Sequence, residues 1–475
     1  MKKKFLFPLL ILILLTGCSE KKDKLVLATE AGFAPYEYYD NGEIVGVDIA
    51  IGKEIAKELG MELEIKDVAF DSIITEVKTG KSDIGAAGIS YTEERAKEVN
   101  FTIDYMESRQ VLIVKKGSYI MSPKDLTTEK IAVQLGSVAD SYLTEKMPNI
   151  NVVREKKFLA AIQDLKDDKV KGVIMDEIPA KQLVTDDLII LKDSVVTDHY
   201  GMIIRKDNKE LLNKCNAIIQ RLKDSGKIDE YMLEHMGLKE KETSSEKMTI
   251  KDKFYYSVIY DGRYKYILQG LGNTLIIALG AVLLGILLGG IAAVSRNIYD
   301  NTGKLKLLNA IAKLYVTVIR GTPSTLQLMI IYYVIFKALS VNIVLVGILA
   351  FGINSGAYVA EIIRAGFNSV KKGQIEAGYA LGLHYSQVTS KIVVPEALKN
   401  ILPALGNEFI TLVKETSIGA YIGIVELTKA SDIIASRTYD YFFPLMIIAL
   451  IYLAITLFLS KCIAIMERRL NHART

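Results

Sequence analysis

In the first half of the chain, short apolar runs alternate with amphipathic ones. Leu25–Thr29, Glu62–Val68 and Ile84–Gly88 read as strands, and the segments Asp48–Leu59, Asp71–Lys78 and Glu93–Glu98 carry helical spacing. Asp48 and Asp71 are expected as helix N-caps, with Gly60 and Gly80 just past the helix ends. A second block repeats the alternation, with strands at Lys130–Gly136, Val152–Glu155, Gly172–Glu177 and Leu188–Lys192. This pattern predicts parallel sheet covered by helices. The extended segments Val111–Lys115 and Ser194–Met202 flank the second block and predict two crossovers between two lobes. One lobe takes residues 24–111 and 196–238, the other 115–194, and the helical pair Asn208–Ser225 and Lys227–His235 closes the first.

The rhythm then changes. Lys239–Lys253 is charged and nearly free of large apolar residues, which predicts a tether extending to about residue 262. Five apolar stretches follow, near 267–294, 314–336, 342–364, 401–424 and 442–462. Hydrocarbon takes ~20 apolar residues to cross, so these predict an all-α membrane domain over 263–470. Between the third and fourth stretches, at 371–396, lies a polar island. Its apolar positions Ile375, Tyr379, Leu381, Leu383, Val388 and Ile392 recur with helical spacing, while Gly382 and Pro395 punctuate it. That predicts an aqueous loop carrying a short docking helix. At the other end, Lys2-Lys3-Lys4 followed by Phe5–Leu15 has the form of a signal peptide over residues 1–17, too short for an ordinary span.

Composition sharpens this division. The chain has 475 residues, half of them apolar, so several domains with a membrane part are expected. Residues 21–240 carry 32 Lys/Arg against 40 Asp/Glu, a net of −8, whereas 241–475 carry 24 against 14, a net of +10. An acidic soluble part joined to a basic membrane part argues against nucleic acid as a partner. Positive charge also orients the spans. Arg296, Lys304, Lys306, Lys313, Lys371, Lys372, Lys391, Lys399, Arg468, Arg469 and Arg474 fall on one side, Lys337, Lys429 and Arg437 on the other. The richer side is expected in the cytoplasm, which places the Glu376 loop there and the soluble domain outside the cell membrane.

Function classes can be excluded too. No Gly-x-x-x-x-Gly-Lys-Ser/Thr phosphate loop occurs, so ATP hydrolysis of the usual kind is not expected of this chain. There is no HExxH and no CxxC, and histidines 199, 235, 384 and 472 lack ligand-like spacing; neither metal nor cofactor is expected. Cys18, Cys215 and Cys462 are too few and too scattered for a disulfide framework.

The polar residues at the predicted strand ends suit a free amino acid. Such a ligand needs a cation for its carboxylate, an anion for its ammonium and further hydrogen-bonding groups. Arg95, Asp176 and the loops of Gly88, Ser90 and Ser137 supply them. The motifs Thr29-Glu30-x-x-Phe33-x-Pro35-Tyr36, Gly46-Val47-Asp48-Ile49 and Gly88-Ile89-Ser90-x-Thr92-x-x-Arg95 make nearly all of 24–236 resemble the periplasmic binding proteins for polar amino acids, a two-lobed α/β clamshell of type II. The resemblance implies that Arg95 pairs the ligand carboxylate and Asp176 its ammonium. It implies that Phe33 and Phe70 pack around the ligand, that Gly88, Ser90 and Ser137 hydrogen-bond it, and that Glu30 and Gln134 meet its side chain. A carboxylate with an amide at that end favours glutamine or a basic amino acid and disfavours glutamate. Glutamine, arginine, lysine, histidine and cystine stay open.

In the second half, Glu376-Ala377-Gly378, Gly382 and Ile392-Val393-Val394-Pro395 resemble the cytoplasmic loop signature of ABC importer membrane subunits. Gly378 stands where that family usually has a second alanine, and Val394 where it often has leucine. Gly270-Leu271-Gly272-Asn273-Thr274, Arg320-Gly321-Thr322-Pro323 and Lys414-Glu415-Thr416-Ser417 resemble the histidine/glutamine/arginine permease branch. The resemblance implies a separate ATPase docking on Glu376, Ala377, Gly378, Gly382, Ile392 and Pro395, and a homodimer around the pathway. Leu15-Thr16-Gly17-Cys18 resembles a bacterial lipobox, implying a lipid on Cys18 and a short lipidated tether over 18–23. An ion-coupled carrier and a ligand-gated channel are the rival readings.

Overall fold

The computed structural model describes residues 24–40, 42–236, 249–336, 341–438 and 440–472. The expectations for the signal peptide, for Cys18 and for most of the tether lie outside the described residues. Two compact units divide the chain, one built on 24–236 and the other on 249–335 and 342–472.

The first unit contains two five-stranded sheets. Strands β1 (Lys24–Thr29), β4 (Glu62–Asp67), β5 (Ile84–Gly85), β6 (Val99–Phe101) and β12 (Ile203–Arg205) form one, in the order β4-β1-β5-β12-β6. Strands β7 (Met106–Lys115), β8 (Lys130–Gln134), β9 (Asn151–Glu155), β10 (Gly172–Asp176) and β11 (Leu188–Tyr200) form the other, in the order β11-β7-β10-β8-β9. A hairpin of β2 (Tyr38–Asp40) and β3 (Glu43–Val45) stands apart. Both five-stranded sheets are mixed, not purely parallel as expected. β1 pairs parallel with β4 and β5, but β12 runs antiparallel to β5 and β6. β8 is parallel to β9 and β10, while β7 runs antiparallel to both of its neighbours, β10 and β11. The reason is the crossovers themselves. β7 brings the chain into the second sheet, where it alone runs against β8, β9, β10 and β11, and β12, reached after β11, likewise runs against its neighbours in the first.

Two capping expectations are corrected. The helix Val47–Leu59 has Gly46 as its N-cap, and Asp48 lies inside the first turn, buried, accepting hydrogen bonds from the Gly88 N–H at 2.9 Å and the Tyr105 hydroxyl at 2.7 Å. Only glycine suits position 46: its φ is 132°, and a Cβ there would stand 2.1 Å from the Tyr36 carbonyl oxygen. Asp71 lies within a single 3-10 turn, Phe70–Ser72, ahead of the helix Ile73–Lys78. Gly60, with φ 67°, does end its helix as expected.

Among the described residues, three helices of the second unit are long and apolar enough to cross a membrane: Tyr264–Thr302, Ile343–Asn368 and Phe442–Leu470. The other two apolar stretches are interrupted. The stretch 314–336 breaks between the helices Lys306–Arg320 and Ser324–Ile330, because Pro323 has no N–H to continue the ladder. The Gln327 amide donates to the carbonyls of Ile319 at 2.7 Å and Thr322 at 3.1 Å, satisfying groups the break leaves open. The stretch 401–424 is the end of the helix Val394–Glu415 followed by a 3-10 segment, Thr416–Ile422, stopped by Gly423 at φ 86°. Helices Tyr264–Thr302 and Ile343–Asn368 touch backbone to backbone. A Cβ on Gly289 would lie 2.6 Å from the Gly356 carbonyl oxygen.

Candidate functional site

The polar island folds into a helix at Lys372–Ala380, a turn at Gly382 with φ 78°, a short helix at Tyr385–Val388 and a π-turn running to Val393. Glu376, Ala377 and Gly378 share the first helix, Ile392 belongs to the π-turn, and Pro395 opens the helix that follows. The apolar positions divide in two. Ile375, Leu383, Val388 and Ile392 pack inward with Val370, Val393 and Ala397, whereas Tyr379 is exposed and Leu381 is 81% exposed. Gly378 is the contact point: a Cβ there would stand 2.7 Å from Ile392 Cδ1. The small residue lets the two limbs of the loop close on each other.

In the first unit, a cavity of about 330 Å³, part of it open to solvent, lies between residues of the two sheets. Glu30, Phe33, Phe70, Gly88, Ser90, Arg95, Gln134, Ser137 and Asp176 all line it, so every residue singled out for ligand contact reaches one place. Glu37, Ala87, Gln110, Val138 and Phe158 line it too and escaped sequence reasoning. Glu37 follows directly on the Pro35-Tyr36 motif. Gln110 and Phe158 gave no signal, being one polar position in a strand and one apolar position in a helix.

Arg95 projects from the helix Glu93–Glu98, whose N-cap Thr92 accepts a hydrogen bond from the Arg95 N–H at 3.1 Å. Its guanidinium donates to the Ser90 carbonyl at 2.6 Å and the Gly136 carbonyl at 2.7 Å, and stands 5.7 Å from the centre of the Phe70 ring. Burial lowers its pKa to about 10, opposed by Asp198 and Glu94, so it is cationic at neutral pH. Asp176 ends β10 and occupies the N-cap position of the next helix without making a capping bond. It accepts instead from the hydroxyls of Ser108 and Tyr200. Burial, then the charge of Asp198, raises its pKa to about 7.

Asp198 itself, on β11, accepts from the Ser90 hydroxyl and from the Gln110 amide at 3.4 Å, and burial pushes its pKa up. Glu30 pairs with Lys157 at 2.6 Å. Phe33 stacks between Tyr36 and Phe158, each with ring centres 5.6 Å away. Ser137 has a second duty, accepting from the Asp140 N–H at 3.2 Å as the cap of the helix Val138–Lys146. Glu37 is fully buried, and burial, then Asp48, raises its pKa well above the ordinary carboxylate range. The cavity thus offers one guanidinium, three carboxyls (Glu30, Glu37 and Asp176) and an aromatic wall, a constellation suited to a zwitterion.

Residues 25–237 match the family described as bacterial extracellular solute-binding proteins, family 3, and residues 281–472 match the binding-protein-dependent transport system inner membrane component. The putative glutamine transport system permease protein GlnP of Rickettsia conorii is 36% identical over 219 residues, 46% of this chain and 98% of that protein. The chain belongs to the amino acid ABC transporters, with binding protein and permease fused. Two proteins of Bacillus subtilis resemble the halves of this fused transporter subunit separately. The arginine transport system permease protein ArtQ is 38% identical over 208 residues, 43% of this chain and 93% of its own length. The arginine-binding extracellular protein ArtP is 30% identical over 220 residues, 45% of this chain and 86% of its own. The seam between the two halves of the fused subunit falls between residues 237 and 281.

Proposed function

We propose that this chain captures a polar amino acid outside the cell and passes it through its own membrane half, driven by a separate ATP-hydrolysing subunit. The observation that carries this reading is the convergence of Arg95, Asp176 and seven further expected contacts on one cavity. Arg95 takes the ligand carboxylate and Asp176 the ammonium, Phe33 and Phe70 pack against the aliphatic stem, and Gly88, Ser90 and Ser137 complete the hydrogen bonding. Glu30 and Gln134 meet the side-chain end. Glutamine or a basic amino acid suits that end, and the names of the relatives, glutamine and arginine transport proteins, support the same range.

The membrane half crosses five times. Three uninterrupted apolar helices support three of the crossings; the broken segments 306–335 and 394–422 supply the others, their interruptions facing protein or a water-filled path. Five crossings from an outside start leave the 371–396 loop in the cytoplasm. There the exposed Tyr379 and Leu381 beside Glu376 form the surface on which the ATPase acts. Two copies of the permease half enclose one pathway, and lipid on Cys18 with the charged tether keeps the receptor beside it. The test is calorimetric titration of the full chain in lipid nanodiscs with each amino acid. Arg95→Ala and Asp176→Ala should each weaken binding by about 100-fold, the worth of a charged hydrogen-bonded contact. Unchanged affinity in both variants would end the assignment.

A further inference from the structure

Glu30, which lines the cavity, is already paired with a cation. Lys157 reaches across from the second sheet's lobe, and its Nζ stands 2.6 Å from Glu30 Oε1, with both side chains largely buried. The pair is held from both sides. Gly32 leaves room for it, since a Cβ there would lie 3.2 Å from Glu30 Oε1 and 3.6 Å from Lys157 Nζ. The neighbouring Lys156 carbonyl accepts from the Gln134 amide at 3.0 Å, fixing the backbone that carries Lys157 beside a cavity-lining side chain. Lys157 is also the N-cap residue of the helix Phe158–Lys166 and makes no side-chain capping bond. A lysine is electrostatically adverse at that end of a helix, where the backbone dipole is positive. Helix propensity therefore does not account for its presence, whereas its carboxylate partner does.

We infer that Lys157 is a specificity-determining residue that makes the fused transporter select a neutral, hydrogen-bonding side chain, a carboxamide, over a guanidinium or an ammonium. The inference rests on the amino-acid reading above and narrows it. The Glu30 carboxylate is engaged by Lys157, and Glu37, lining the same cavity, is fully buried with its charged form disfavoured by burial. A cationic ligand tip that approaches Glu30 meets a carboxylate already engaged by Lys157. In a site of low effective dielectric the repulsion between the two cations is large. A carboxamide pays no such penalty, and it both donates to Glu30 and accepts from Lys157.

The test uses the full chain in nanodiscs, titrated with L-glutamine, L-arginine and L-lysine. The unaltered chain is expected to bind glutamine more tightly than either cation. Lys157→Met removes the cation paired with Glu30, and the arginine-to-glutamine affinity ratio should rise by about tenfold or more. Glu30→Gln removes the carboxylate paired with Lys157, so the same ratio should fall. A merely structural ion pair would weaken all three ligands alike and leave the ratio fixed. Should one variant not fold, the direction of the shift in the other decides. The inference is overturned if the unaltered chain prefers arginine or lysine, or if the ratio stays put in the variants that bind. Absence of binding by every amino acid would strike the parent reading instead.

Discussion

Arg95 and Asp176 carry opposite charges in the same cavity, and burial acts on both by disfavouring the charged form. For the arginine the shift, to about 10, leaves the cation intact at neutral pH. For Asp176 the shift, to about 7, brings titration into the working range. The sign follows. A carboxyl whose folded pKa lies above its unfolded value stabilises the ligand-free fold fully below the ordinary carboxylate range, and that contribution is lost as pH rises through about 7. An incoming ammonium prefers the ionised carboxylate, so affinity should climb from pH 5 to pH 8. Binding at pH 6 should release protons, seen as a dependence of the calorimetric enthalpy on the ionisation enthalpy of the buffer. Asp176→Asn should remove that dependence, and equal enthalpies in all buffers would refute the account of this pair.

Several of these residues were readable in the chain and others were not, for a physical reason. Arg95, Asp176 and Ser90 stand at strand ends or on the turns after them, where local pattern points to a ligand. Gln110 and Asp198 lie inside β7 and β11, and only strand pairing, with Val196 opposite Gln110 and Asp198 opposite Ser108, brings them to the site. No local signal encodes that register. Lys157 is another such case, since its partner Glu30 is 127 residues away.

At the level of elements, hydropathy located three helices long and apolar enough to cross a membrane and missed the breaks in the other two apolar stretches. A window average over 314–336 is insensitive to one proline, yet the chain stops its helix at Arg320 and restarts at Ser324. The mixed sheets were missed for a similar reason: alternation of strand and helix specifies neighbours but not the direction of a crossover strand. The helix pair Tyr264–Thr302 and Ile343–Asn368 offers a direct packing test. A side chain on Gly289 would meet the Gly356 carbonyl oxygen at 2.6 Å and the Ala360 nitrogen at 2.8 Å, backbone atoms with no rotamer to escape into. Gly289→Val should cost about 1–3 kcal/mol or more by overpacking. The detergent-solubilised membrane half should then melt at a lower temperature while amino acid binding to the first unit persists. An unshifted melting transition would show that the helices do not approach this closely.

The whole molecule unites an acidic receptor and a basic membrane domain in one chain. Fusion fixes their ratio and replaces a diffusional encounter by an intramolecular one, so a modest receptor affinity suffices for delivery. With the five crossings proposed above, lysine and arginine would gather on the side of the 371–396 loop, as a cytoplasmic docking surface requires. The most direct measurement is uptake of a labelled amino acid into proteoliposomes that hold the full chain and a cognate ATPase. Uptake should require ATP on the side of the 371–396 loop, survive collapse of every ion gradient, and disappear in Arg95→Ala. Uptake that proceeds without ATP and dies with an ion gradient would contradict the account at its centre.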